Sequence, residues 1–207
     1  MYKAKRYEKG EIPEDCSSFA LSLVGKIDLK EPIIDLGCGN GRDTIFFLRK
    51  GAAHVTAVDL SEYAVSSLSE KIFAEQDRVS IIHGDFTRLP KIDQRFGTAY
   101  TRFSLHSVSE EAASQCLCWV FEHLIDGGLL CIEARSVNDK LCGKGTPVSG
   151  ERNAWICDHY RRFICLQELE AELVRIGFVI LLSMESNGLA VYKDDDPEVI
   201  RIHAKRK

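Results

Sequence analysis

The sequence predicts an α/β fold in which helices cover a doubly wound, mostly parallel sheet. Short apolar runs alternate with segments of helical periodicity from about residue 32 to residue 135, which is the pattern of a parallel sheet. A glycine-rich turn at residues 35–41 follows the first apolar run, at the kind of strand end where such sheets bind ligands. The chain has 207 residues, 45% apolar and 28% charged, so it can fill the core of one domain and is not a disordered protein.

The predicted elements follow one another in a regular order. Strands are expected at residues 32–36, 54–59, 79–83, 98–103, 128–133, 178–183 and 199–203. Helices are expected at residues 42–50, 61–75, 109–124 and 166–175, and Ser109 with the two glutamates after it is a start signal for the third of them. Residues 136–158 interrupt this order with many polar residues and little periodicity, and so long a loop is typically functional or disordered.

Charge and composition exclude several classes of protein. Lys and Arg number 27 against 31 Asp and Glu, so a net charge of −4 lacks the basic footprint of a general nucleic-acid binder. No apolar run approaches the roughly 20 residues of a membrane-spanning helix, and residues 1–7 carry charge without the apolar stretch of a secretory signal. The eight cysteines are scattered and include no CxxC pair, so we expect a cytoplasmic protein with reduced thiols and no metal site.

The turn at residues 35–41 has the sequence DLGCGNG and lies between a predicted strand and a predicted helix. Its glycines permit a tight turn and a close approach of the backbone to a ligand. The turn departs from the GxGxxG dinucleotide pattern because Arg42 stands where the third glycine would be. Asp59 ends the second strand, where a carboxylate can accept both ribose hydroxyls of an adenosine. Asp85 and Phe86 follow the third strand and offer a polar edge and an aromatic face for an adenine.

These three strand-end features, in this order, resemble the class I S-adenosylmethionine-dependent methyltransferases over about residues 30–135. The resemblance implies a Rossmann-like, seven-stranded sheet with an antiparallel last strand, in a single domain over residues 1–207. It also implies that S-adenosylmethionine is the cofactor and S-adenosylhomocysteine the product. A different doubly wound nucleotide binder is the alternative. The resemblance assigns to the cofactor Asp35, Gly37, Gly39, Asn40, Arg42, Asp59, Leu60, Asp85 and Phe86.

Basic residues gather at the predicted strand ends where a methyl acceptor would bind. Arg102 and His106 follow the fourth strand, and Arg135 ends the fifth. The segment after the fourth strand contains no Asn-Pro-Pro-Tyr or Asp-Pro-Pro-Tyr run, the mark of enzymes that methylate base or glutamine nitrogens. Arginine is costly to bury without an anion, and its guanidinium binds phosphate or phosphonate oxygens in a bidentate way. A small anionic acceptor is therefore the predicted partner, and the oligomeric state stays open.

The long insertion closes with three further basic residues, His159, Arg161 and Arg162. As an alternative to ligand binding, the two arginines could pair with Glu133 and Asp139 and merely fasten the loop.

The segments RFSLHS (102–107), EARS (133–136) and HYRRF (159–163), together with residues 188–197, resemble a narrower group. This group comprises the methyltransferases of phosphonate-antibiotic pathways and those that methylate the phosphate capping a bacterial surface polysaccharide. The resemblance implies an N-terminal flap at about residues 1–25, an acceptor-side lid at about residues 136–163, and catalytic roles for Arg102, His106 and His159. The residues that it assigns to the acceptor are Tyr7, Arg102, His106, Arg135, His159, Arg161 and Arg162.

Two other functions stay open, and the flap has a plainer explanation. The acceptor could be a hydroxyl of a sugar or another small molecule, in which case His106 or His159 must act as general base. The chain could also be a cofactor-binding module without catalysis. The basic N-terminal segment could be a frayed, solvated end rather than a flap.

Overall fold

The computed structural model describes residues 15–72 and 75–207, which form two sheets and the helices around them. The strands are β1 (Ile33–Leu36), β2 (Val55–Asp59), β3 (Val79–His83), β4 (Phe96–Arg102), β5 (Leu124–Arg135), β6 (Thr146–Pro147), β7 (Ala154–Ile156), β8 (Tyr160–Arg162), β9 (Phe178–Ser186) and β10 (Val199–Arg206). Tyr7, predicted to bind the acceptor, and most of the predicted flap lie outside the described residues.

The main sheet has seven strands in the order β3-β2-β1-β4-β5-β10-β9. Strands β1 to β5 pair in parallel, whereas β10 is antiparallel to both of its neighbours, β5 and β9. The strand order reverses between β1 and β4, and a crevice opens at the carboxyl ends of strands where an α/β sheet reverses. This arrangement confirms the predicted Rossmann-like fold with an antiparallel last strand.

Helices pack on both faces of this sheet because side chains alternate along its strands. Ile33 and Ile34 of β1 point to opposite faces and belong to two separate clusters of buried apolar residues. The described α-helices are α1 (Ser18–Ser22), α2 (Arg42–Arg49), α3 (Glu62–Lys71), α4 (Glu110–His123) and α5 (Leu166–Ile176). Ser17, Ser61 and Ser109 cap the first, third and fourth of these by accepting a backbone N–H of the first turn.

The structure departs from the sequence prediction mainly in the long insertion. Strands β6, β7 and β8 form a small antiparallel sheet there, although the sequence showed little periodicity. Two or three residues are too few to show the alternation by which a strand is recognised. The helix predicted at residues 61–75 ends earlier, at Lys71, and a short 3₁₀-helix occupies Gln76–Arg78. No helix among the described residues combines the length and the apolar character needed to cross a membrane.

Candidate functional site

The glycine turn connects β1 to α2 in a conformation that requires glycine. Gly37, Gly39 and Gly41 have φ angles of +80°, +57° and +76°, in the left-handed region. A Cβ atom on Gly37 would lie 2.2 Å from Oγ and 2.7 Å from Cβ of the buried Ser104, in the loop after β4. On Gly41 it would lie 2.2 Å from a methyl carbon of Leu68 in α3. The turn therefore presents bare backbone to the crevice and packs tightly on its other sides.

Asp59 holds this turn from the end of β2. One oxygen of its buried carboxylate accepts the N–H of Gly39 at 2.8 Å, and the other accepts the N–H of Ser61 at 2.9 Å. A carboxylate has about four acceptor positions, so Asp59 can bind further donors such as a pair of hydroxyls. Leu60 beside it is exposed, as a residue facing a flat ligand would be.

The residues after β3 form a second ordered turn. The Asp85 carboxylate accepts the N–H of Thr87 at 2.9 Å and its hydroxyl at 2.7 Å. Phe86 is buried in the core. Its ring and the side chain of Ser104 lie on the same side of Gly37. Its ring supports the glycine turn, so little of the predicted aromatic face is open to solvent.

Asp35, in β1 at the beginning of the DLGCGNG segment, carries a buried carboxyl group. Burial raises the pKa of Asp35 to about 8, and the charges of Asp43 and Asp59 add to this rise, while a 2.6 Å hydrogen bond from Thr44 opposes it. The carboxyl group therefore holds a proton across much of the neutral pH range in the protein alone.

Asp43, in the first turn of α2, is a further buried carboxylate with a structural role. In the structure it accepts the N–H of Ser17 at 2.7 Å, the hydroxyl of Ser17 at 2.9 Å and the hydroxyl of Tyr100 at 2.7 Å. Burial and the charge of Asp43 raise the pKa of Tyr100 well above its ordinary value. The network ties the segment before α1 to the glycine turn, and no local motif announces it because its members are 26 to 83 residues apart.

A cavity of about 490 Å³ opens beside the turn. It brings together most of the residues predicted for the two ligands, from segments far apart in sequence. From the cofactor set it contains Asp35, Gly37, Gly39, Asn40 and Arg42, and from the acceptor set Arg102, His106, Arg135, His159 and Arg161. Outside its lining lie Asp59, Leu60, Asp85, Phe86 and Arg162.

The arginines of this cavity differ in how they are held. Nε of Arg102 donates to Glu133 at 2.7 Å. Both terminal nitrogens of Arg135 are engaged, one by Asp139 at 2.8 Å and one by Asp195. The alternative in which the two arginines of the insertion pair with Glu133 and Asp139 is therefore wrong, because arginines at the ends of β4 and β5 bind those carboxylates.

Arg162 lies away from the other predicted acceptor residues. Successive side chains of a strand point to opposite faces, so Arg161 and Arg162 of β8 diverge. Arg162 donates from Nε to the carbonyl of Val108 at 3.2 Å and from a terminal nitrogen to that of Leu105 at 3.4 Å. It lines a separate cavity of about 840 Å³ beside α4 and α5, and its burial lowers its pKa.

Two histidines complete the main cavity, and each already accepts a hydrogen bond. Nδ1 of His106 accepts the backbone N–H of Arg135 at 3.3 Å. Nδ1 of His159 lies 2.8 Å from Asp158, and its Nε2 lies 2.9 Å from Arg161. Because a guanidinium only donates, we assign the proton of His159 to Nδ1, facing the carboxylate.

Comparisons with known proteins agree with this geometry. The methyltransferase-domain family profile matches residues 33–128. The demethylmenaquinone methyltransferase of Clavibacter sepedonicus is 36% identical over 80 residues, which are 39% of this chain and 32% of that protein. The chain thus matches about a third of that relative's length. Residues 33–128 thus form a methyltransferase domain, and the chain has the fold of the class I S-adenosylmethionine-dependent methyltransferases.

Solved structures share this fold over most of the chain. The glycopeptide N-methyltransferase MtfA in complex with S-adenosylhomocysteine superposes with a TM-score of 0.72 at 21% identity, over 93% of this chain and 90% of that one. The [4+2]-cyclase SpnF superposes with a TM-score of 0.71 at 18% identity, over 95% and 85%. The fold therefore does not determine the reaction.

S-adenosylmethionine, the predicted cofactor, is the cofactor of the class. The residues present suit it, because Gly37 leaves no room for a side chain at the turn and Asp59 keeps acceptor positions beside it.

Proposed function

We propose that this methyltransferase transfers a methyl group to an anionic oxygen of a small phosphonate or of a phosphorylated metabolite or glycan. One observation carries the proposal: Arg102, Arg135 and Arg161 line the same cavity as the backbone of the glycine turn. Guanidinium groups bind phosphoryl and phosphonyl oxygens in pairs. The cavity therefore suits an acceptor that brings negative charge beside the cofactor site.

We assign the cofactor site to the residues predicted for it. In this proposal Arg42, which follows the glycine turn, binds the methionine carboxylate, and Asp59 binds the ribose hydroxyls. The adenine lies against Leu60, with Asp85 near its amino group. The remaining members of the set are Asp35, Gly37, Gly39, Asn40 and Phe86, which shape or support the turn.

The acceptor chemistry decides what the protein must supply. Bound S-adenosylmethionine contributes an electrophilic methyl group on a positively charged sulfur. A phosphoryl or phosphonyl oxygen is already anionic near neutral pH, so the protein has to orient it and exclude water. Orientation of reacting groups can lower a barrier by about 7–11 kcal/mol. The hydrogen bonds already accepted by His106 and His159 fit a reaction without a general base.

A hydroxyl acceptor is the second candidate, and the Asp158–His159 contact favours it. The negative charge of Asp158, 2.8 Å from one ring nitrogen, favours a proton on that nitrogen and leaves the other nitrogen to act as base. That role requires Arg161 to release Nε2 when the acceptor binds. Replacing His159 with alanine would then lower kcat by about 10²–10⁴-fold.

Transfer of label from S-adenosylmethionine to phosphonates, sugar phosphates and polyols tests the proposal. We expect transfer to a phosphonate or sugar phosphate, with a KM for that acceptor about tenfold higher in Arg161→Met, the loss expected for one charged hydrogen bond. Arg162→Met is the matched control, since the neighbouring arginine lines a different cavity. Transfer to polyols alone, with a large loss of kcat in His159→Ala, would replace the proposal with the second candidate. Tight binding of S-adenosylhomocysteine without transfer to any compound would favour a non-catalytic module.

A further inference from the structure

Glu133 is a buried carboxylate shared by two arginines at the carboxyl end of the sheet. Oε1 accepts Nε of Arg102 at 2.7 Å, and Oε2 accepts Nε of Arg201 at 2.6 Å. The side chain of Glu133 is fully buried. The three residues are direct register partners across β4, β5 and β10, so one row of side chains crosses three strands. The paired strands therefore fix the positions of all three groups.

The contact with Glu133 engages one edge of the Arg102 guanidinium. Arg102 donates to Glu133 through Nε. The same side chain lines the cavity, and its two terminal nitrogens lie at its end. The guanidinium carbon also lies 4.3 Å from the ring centroid of Phe103, which contributes a cation–π contact. Phe103 has a φ of +53°, a conformation that is rare for an aromatic residue and turns the chain sharply after β4. Glu133 and Phe103 thus hold the plane of the guanidinium between them.

Arg201 connects Glu133 to two other segments around the cavity. One of its terminal nitrogens donates to the hydroxyl of Ser18 at 3.0 Å and to the carbonyl of Leu189 at 2.7 Å. Ser18 is the first residue of α1. Both Ser18 and Ala190, the residue after Leu189, line the cavity. The Glu133 carboxylate is therefore the centre of a network that reaches three walls of the cavity.

We propose that Glu133 is a positioning residue for the acceptor. It fixes the guanidinium of Arg102 so that both terminal nitrogens bind one phosphoryl or phosphonyl group, and Arg201 fixes Glu133 in turn. This inference rests on the proposed function, in which Arg102 binds the acceptor anion. Its physical basis is that a bidentate contact needs the plane of the guanidinium to be set before the anion arrives.

A double-mutant cycle tests whether Glu133 acts through Arg102. Inorganic phosphate is titrated calorimetrically into the full-length protein saturated with S-adenosylhomocysteine, for the wild type, Glu133→Gln, Arg102→Met and the double variant. Glutamine offers one carbonyl oxygen to two Nε–H donors, so one arginine loses its partner. We expect Glu133→Gln to raise the phosphate Kd about tenfold, as for a lost charged hydrogen bond. In the Arg102→Met background we expect less than about a twofold change, within the usual error of additivity.

Controls separate positioning from a general loss of structure. The Kd for S-adenosylhomocysteine should stay constant across the cycle. Glu168→Gln removes the charge from an exposed contact with Arg152, 2.9 Å long and outside the cavity, and should leave phosphate binding unchanged. If Glu133→Gln does not fold, Glu133→Met with Arg201→Met removes both buried charges together, a change that folds tolerate better than removing one. It should weaken phosphate binding in the same way.

The outcomes separate this inference from the proposed function. An equal loss of phosphate affinity from Glu133→Gln in both backgrounds, or no loss in either, would overturn the positioning role alone, provided that Arg102→Met weakens binding. If Arg102→Met has no effect, or if phosphate does not bind the wild type, both the positioning role and the anion-binding function are wrong.

Discussion

The two halves of the site are built in different ways. On the cofactor side, the glycine turn and Asp59 lie within about 25 residues of sequence, and three glycines of the turn have positive φ angles. On the acceptor side, Arg102, Arg135 and Arg161 come from three separate segments, and each is held by a different partner. The first half depends on local backbone conformation, and the second depends on how distant segments pack. Changes to one half should therefore leave the other largely intact.

The largest effect expected at constant pH comes from filling the space beside the glycine turn. Gly37→Ala must adopt a left-handed conformation, which costs about 1–2 kcal/mol, and its Cβ would clash with Ser104, which adds about 1–3 kcal/mol of overpacking. Gly25→Ala is the matched control, since Gly25 has a φ of +77° with nothing within 4 Å of the added Cβ. Urea unfolding should show the additional loss of stability in Gly37→Ala alone.

The same pair of variants separates the turn from the rest of the fold. Calorimetry should show that Gly37→Ala weakens binding of S-adenosylhomocysteine, while Gly25→Ala leaves it unchanged. Equal losses of stability in the two variants would mean that the packing around Gly37 yields easily. The cofactor side would then depend less on its backbone than we infer.

The difference between the halves also explains what sequence could predict. Local spacing in the sequence predicted the glycine turn, Asp59 and the positions of the first five strands of the main sheet along the chain. The partners of Arg102 and Arg135 could not be predicted, because register across β4, β5 and β10 decides which carboxylates face them. The separation of Arg161 from Arg162 needed only the recognition of β8 as a strand, but three residues in a polar insertion gave no signal for it.

A second effect on the cofactor side should appear in the pH dependence of stability. The pKa of Asp35 is raised from 3.8 to about 8 in the folded protein. The stabilisation from protonated Asp35 is complete below the pKa of this group in the unfolded chain. It is lost as the pH rises through the pKa of the same group in the folded protein. Between about pH 4 and pH 8 the free energy of unfolding should therefore fall by about 1.4 kcal/mol per pH unit from this group.

Asp35→Asn should remove this part of the slope, because an amide imitates the protonated acid and still accepts the hydroxyl of Thr44. Urea unfolding of the protein without cofactor at several pH values measures it. Asp77→Asn, at an exposed position, serves as the control and should keep the wild-type slope. Identical slopes in Asp35→Asn and the wild type would show that Asp35 is ionised in the folded protein at neutral pH.

The smallest expected effect lies on the acceptor side and is a gain of affinity. Asp195 binds a terminal nitrogen of Arg135 and lies 3.1 Å from Lys140, with its side chain 41% exposed. Burial alone would raise the pKa of Asp195, but the hydrogen bonds and charges of Arg135 and Lys140 outweigh it and lower the pKa. The ionised Asp195 carboxylate therefore binds a terminal N–H group of Arg135 that the acceptor anion would otherwise bind.

Asp195→Asn should tighten phosphate binding by about threefold to tenfold, because a neutral amide competes less well than a charged acceptor for a guanidinium. Arg135 keeps its orientation in this variant, since Asp139 still binds its other terminal nitrogen at 2.8 Å. Calorimetry with inorganic phosphate, in the presence of S-adenosylhomocysteine, measures the change. Asp194→Asn makes the same charge change at an exposed neighbour and should have less effect. Weaker phosphate binding in Asp195→Asn would instead show that this carboxylate supports the acceptor side, as Glu133 is proposed to do.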